Sequence, residues 1–223
     1  RRGKTYKIIE KEAPLGYYNA KPVEITIDEN TPANLPVNLT IPEDKIDLVV
    51  KKVDSDGHPL ADVKLEVVDK ESGEVVQSWR TKPDEEHQIG KKLFAGKTYI
   101  IRETEPIDGY YYTTEREVTV DQFKPNEPVT ITMVDGAINY KIAKVDEKGQ
   151  YVEGVKLELT DITDKENPVA IELPNNGITT KEPFELAKKL KAEHTYQLVE
   201  KESVNGKALS TSIVFQVAKV GTD

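Results

Sequence analysis

An eighteen-residue stretch of this chain returns 92 residues later. KVDSDGHPLADVKLEVVD at 52–69 and KVDEKGQYVEGVKLELTD at 144–161 align without a gap and agree at half their positions. A second stretch recurs at a similar period: GKTYKIIE (3–10), GKTYIIRE (96–103) and EHTYQLVE (193–200). Repetition at this length means a series of like units rather than one large fold. The frame of the chain is offset from the frame of the repeat. Residues 1–44 read as the back part of a unit, 45–136 as a complete unit, and 137–223 as a unit lacking its last strand.

Within the complete copy the apolar residues alternate with polar ones at the period of a strand. Leu48, Val50 and Lys52 share one face, and so do Val63, Leu65 and Val67. Gly57 to Pro59 marks a turn, Ser72-Gly73 a hairpin, and 75–79 the strand returning from it. Further strands are expected at 97–103, 115–120 and 129–135. The segment 184–190 has some helical character, but its match to 89–93 makes it a strand. About seven short strands in roughly ninety residues predict an all-β, antiparallel sandwich with Greek-key character.

The bulk numbers narrow the function. A net charge of −9, with no basic cluster interleaved with aromatics, excludes a nucleic-acid binder. No apolar run is long enough to span a membrane, and there is no signal-peptide core at the amino terminus. The absence of cysteine removes disulfides, thiolate zinc sites and a thiol nucleophile. His58, His87 and His194 are isolated and lack metal-ligand spacing, so they read as surface histidines and no metal or cofactor is expected. Asp54-Ser55-Asp56-Gly57 resembles the start of a calcium loop. Its twelfth position is Leu65 rather than the required glutamate, so it reads as a turn. Trp79 is expected to pack at the core or a sheet edge.

Ionisable residues close three of the apolar rows. Tyr99 and Ile101 lead inward to Glu103, Leu48 and Val50 lead to Lys52, and Ile131 and Met133 lead to Asp135. The glutamate row recurs as Tyr6-Ile8-Glu10 and Tyr196-Leu198-Glu200, each followed six residues later by a glycine: Gly16, Gly109, Gly206. Lys144 repeats Lys52 at the end of Tyr140 and Ile142. Burial disfavours the charged forms of an amine and a carboxyl group alike. A neutral amine is a nucleophile, a protonated carboxyl is an electrophile, and a second acid nearby can move the protons. A buried lysine can also simply snorkel or form a structural ion pair.

These motifs together resemble the Cna protein B-type domain. They are the KVD-x-x-G opening strand, the tyrosine-to-glutamate strand, the turns in EKEAPLGYY (10–18) and EPIDGYYY (105–112), and the closing strand TITMVDGAI (130–138). The resemblance implies a prealbumin-like or inverse immunoglobulin sandwich, used in stalks and pilin shafts of Gram-positive surface adhesins. It also implies a spontaneous isopeptide bond, with Lys52 as nucleophile, Asp135 as acceptor and Glu103 as proton shuttle. Such a protein would be extracellular, anchored to the cell wall through regions outside this chain. It would be no enzyme beyond that self-catalysed step.

The other copies depart from the full set. Lys144 and Glu200 have no acceptor strand in the chain, and Lys207 stands where Tyr17 and Tyr110 follow the other glycines. Glu10 has no lysine, and Glu43 falls opposite Asp135. The segment 37–44, with Val37, Leu39 and Ile41 inward, could supply the closing strand that the third copy lacks in another molecule, by strand addition. Expected partners are thus neighbouring units, other copies of the chain, or a host matrix protein. Two further readings stay open: a module binding collagen, fibronectin or a glycan, and an accessory β-domain of a secreted enzyme.

Overall fold

Alternating β-branched and aromatic residues set against frequent glycine turns leave the chain almost no helix. The computed structural model describes residues 3–31, 36, 38–83, 85–125, 127–204 and 208–221. Its strands are β1 (Lys4–Ile8), β2 (Val23–Ile27), β3 (Leu48–Asp54), β4 (Lys64–Asp69), β5 (Val75–Arg80), β6 (His87–Gln88), β7 (Thr98–Glu105) and β8 (Arg116–Thr119). They continue as β9 (Val129–Asp135), β10 (Asn139–Ile142), β11 (Lys156–Asp161), β12 (Val169–Ile171), β13 (Phe184–Ala187), β14 (Thr195–Glu202) and β15 (Ile213–Gln216). Three single turns of 3-10 helix are the helical content of the described residues.

The chain divides into two compact units. One comprises Arg1–Lys52, Leu65–Arg102 and Glu115–Met133; the other comprises Val53–Lys64, Glu103–Thr114 and Val134–Asp223. In the first, Leu48 and Val50 of β3 and Ile131 and Met133 of β9 are buried, as are Leu65 and Val67 of β4, Tyr99 and Ile101 of β7, and Val118 of β8. The alternation read from the sequence therefore selects the inward residues correctly. In the second, Ile142, Phe184 and Leu186 from one sheet meet Leu157, Leu159 and Tyr196 from another in a single apolar cluster. That is a sandwich core, made by strands that alternate between two sheets as the Greek-key expectation required.

The sheets repeat as the sequence does. The order β5-β4-β7-β8 recurs as β12-β11-β14-β15. The companion sheet is β6-β3-β9 in one copy and only β10-β13 in the next. The β1–β2 hairpin pairs Thr5 with Thr26, as β7–β8 pairs Thr98 with Thr119, and in both the two hydroxyls lie 2.9 Å apart. Phe184–Ala187 is a strand as expected, but the segment 89–93 matched to it holds a 3-10 turn at Gly90–Lys92, and the strand in the equivalent sheet position is β6 at His87–Gln88.

The first copy corrects one expectation. Tyr6 and Ile8 are 44% and 36% exposed rather than inward. The two-stranded sheet β1-β2 has neither of the other strands that would cover that face, so alternation alone cannot bury it. Within the chain by itself the described residues of 37–44 form no strand, and Leu39 and Ile41 are exposed rather than inward. Val37, Gly206 and Lys207 lie outside the described residues.

Candidate functional site

The three ionisable residues of the complete copy lie at the ends of apolar rows, and each is withdrawn from solvent. Lys52 on β3 is 4% exposed, Glu103 on β7 is 7% exposed, and Asp135 at the end of β9 is fully buried. Lys52 Nζ, Glu103 Oε1 and both Asp135 side-chain oxygens are themselves inaccessible to water. Charge buried to this extent is costly unless the groups compensate one another or lose their charge.

Thr113 links the two acids. Its backbone N–H donates to Glu103 Oε2 at 3.1 Å, and its hydroxyl donates to the carbonyl of Val134 at 2.7 Å, next to Asp135. The Ser55 hydroxyl donates to the Asp135 carbonyl at 3.3 Å. The loop after the Gly109 turn therefore fixes the glutamate carboxylate and the end of β9 through a single residue.

This clasp recurs in every copy. Glu10 Oε2 accepts the Ala20 N–H at 2.6 Å, and Glu200 Oε2 accepts the Ser210 N–H at 2.9 Å and the Ser210 hydroxyl at 2.5 Å. In all three the amide lies ten residues beyond the glutamate, so the carboxylate ties the post-glycine loop back to its own strand. Sequence reasoning missed this role. The donor is main chain, and Ala20, Thr113 and Ser210 share no side-chain chemistry that would betray it.

In the third copy the lysine and glutamate meet directly. Lys144 Nζ lies 3.0 Å from Glu200 Oε2 and also 3.0 Å from the Ser210 hydroxyl. Glu200 is held down to about 2, first by the Ser210 hydroxyl, then by the Ser210 amide and Lys144, against the opposing push of burial. Here the glutamate is charged at neutral pH. Glu43 is exposed, and Glu10 is half-buried.

The remaining motifs turn out to be structural. Asp54 Oδ1 accepts the N–H groups of Asp56 and His58, each at 2.9 Å, and Asp146 Oδ1 accepts those of Lys148 and Gln150 at the same distance. The aspartate of KVD-x-x-G thus builds the turn that its glycine completes. Asp54, Asp56 and His58 bring ligand-type atoms within 4.8 Å of one another, a by-product of that same turn. His58 is a surface residue, but two histidines are more engaged than expected. His87 stacks on Trp79 at 4.1 Å, and His194 Nδ1 lies 2.6 Å from Asp161 Oδ2. Trp79 sits on the edge strand β5. No helix among the described residues is long and apolar enough to cross a membrane.

The family model described as SpaA, prealbumin-like fold domain, matches residues 46–136. That segment is similar to SpaA prealbumin-like domains. Its boundaries lie within one residue of the complete copy at 45–136, and the domain includes Lys52, Glu103 and Asp135. No curated protein matches the chain in sequence. Among solved structures, the shaft pilin SpaA from Lactobacillus rhamnosus GG is 16% identical, with 77% of this chain and 93% of that one covered at a TM-score of 0.36. The Bacillus anthracis TIE protein is 20% identical over 98% of this chain and 40% of its own, at 0.42. A streptococcal ancillary pilin is 18% identical over 98% and 72%, at 0.35. The matched segment thus coincides with the middle copy, with the β1–β2 hairpin before it in the chain and β10–β15 after it.

Proposed function

We propose that the chain is a segment of the stalk or shaft of a Gram-positive cell-surface adhesin or pilin, built as a tandem array of sandwich units. Its complete unit is locked by an isopeptide bond between Lys52 and Asp135. The observation that carries this reading is the burial of a lysine and two acids at the ends of three strands of one SpaA-type domain. A domain of this size gains nothing from hiding three ionisable groups unless they react or compensate one another.

In the proposed reaction the uncharged Lys52 Nζ attacks Cγ of the protonated Asp135 carboxyl. Glu103 takes the proton released by the amine and delivers it to the departing hydroxyl, which leaves as water. A C–N bond forms, a C–O bond breaks, and one water is lost. The bond closes a loop of 83 residues, counted as the separation of Lys52 and Asp135. By analogy with disulfide chain entropy, that closure is worth about 4–5 kcal/mol against unfolding. A bond between β3 and β9 would also join the first and last strands of the unit, so that tension runs through covalent links. This suits a thin module that has no cysteine.

Intact mass spectrometry tests the reaction. The wild-type chain is expected to be lighter than its sequence by one water, and Lys52→Ala or Glu103→Ala to restore that water. Asp135→Asn should give a product of the same mass as the cross-linked wild type, because the leaving group becomes ammonia. A wild-type mass equal to that of the plain sequence overturns the mechanism and leaves the fold standing.

A further inference from the structure

Gly16 and Gly109, which follow the first two glutamate rows, do more than end a strand. Gly16 donates its N–H to the Leu93 carbonyl at 2.9 Å, and its own carbonyl accepts the Ile46 N–H at 2.9 Å. Gly109 donates to the Leu190 carbonyl at 3.1 Å and accepts from Ile138 at 2.8 Å. Tyr18 donates to the Asp44 carbonyl, as Tyr111 donates to that of Gly136, both at 2.9 Å. Isolated bridges pair Tyr17 with Lys45 and Tyr110 with Ala137. Apart from Asp44 and Gly136, the last residues of their own copies, every partner belongs to the copy that follows. The first set lies within one compact unit and the second within the other.

Both glycines are buried, with φ of +86° and +89°. A Cβ on Gly16 would lie 3.2 Å from Lys91 Cα and O, and one on Gly109 would lie 2.6 Å from Lys188 Cβ and O. Lys188 holds a positive φ of 57° there and donates to the Tyr110 hydroxyl at 2.5 Å. Any side chain at the glycine would therefore strain the backbone and push the two surfaces apart.

We propose that the glycine–tyrosine turn is a coupling plug. It seats on the leading edge of the next copy, and the seat it fits is that of any further copy of this repeat. The seat consists of the carbonyl of Leu93 or Leu190, the N–H of Ile46 or Ile138, and the close backbone of Lys91 or Lys188. Because main-chain groups make the contact, copies that differ in side chains join in one fixed way. A stalk gains defined orientation from this independently of any bond between Lys52 and Asp135.

Amide hydrogen exchange on the full chain tests the coupling. In the wild type, the amides of Gly16, Tyr18 and Ile46, and of Gly109, Tyr111 and Ile138, should be protected to a degree comparable with strand amides. Gly16→Val should lower the protection of Tyr18 and Ile46 by at least about tenfold while leaving the Gly109, Tyr111 and Ile138 amides unchanged. Wild-type junction amides that exchange as freely as exposed loops overturn the proposal without recourse to a variant. So does a Gly16→Val chain in which Tyr18 and Ile46 stay protected.

Discussion

Protonating Glu200 should unfasten the third copy, and the size of the effect follows from its surroundings. The Ser210 hydroxyl and amide and the Lys144 ammonium hold the carboxyl at about 2, against an ordinary value of 4.5. A group whose folded value is depressed contributes its full stabilisation above the unfolded value and loses it as pH falls toward the folded one. With these two values the loss sets in near pH 4.5 and grows to at most about 3 kcal/mol by pH 2, reduced by solvent screening at the part-exposed Lys144. Urea titrations at a series of pH values, read from the NMR signals of β11 and β14 amides, measure it in the unit that contains the clasp. Glu200→Gln isolates the group from the other carboxylates that titrate in the same range. The gap between wild type and variant should be at most about 3 kcal/mol at pH 7 and should nearly close by pH 2. A gap that stays constant over that range would refute the ion-pair clasp.

Two further outcomes follow from single contacts. Tyr99→Phe removes the hydroxyl that accepts the Phe94 N–H at 2.9 Å, and should cost about 1–2 kcal/mol of unfolding free energy in denaturant titration by orphaning a partly buried donor. Burial pushes the Tyr196 phenol up to about 12, so ultraviolet titration should find it neutral at pH 11, with stability falling between pH 10 and 12 as the unfolded chain ionises first.

Much of the fold was legible because strand alternation is a local signal. The rows Leu48-Val50-Lys52, Tyr99-Ile101-Glu103 and Ile131-Met133-Asp135 are all buried as their period required. The same rule failed at Tyr6 and Ile8, where the pattern is intact but the covering strands are missing. Periodicity states which residues share a face, not whether anything lies against it. The glutamates were legible as inward acids. Their clasp on the amide ten residues downstream was not, because a backbone donor leaves no trace in side-chain identity. The histidines show the same limit: Asp161 and His194 are 33 residues apart and meet only because β11 and β14 pair.

The sequence by itself determined the repeat, the strand class, the inward faces and the identity of the ionisable residues that close them, because each follows from the order of residues along one strand. Tertiary structure alone decided what the turn glycines are for. Gly16 and Gly109 must be glycine because Lys91 and Lys188, from the copy that follows each, press against them. That requirement arises only when two distant stretches of chain meet.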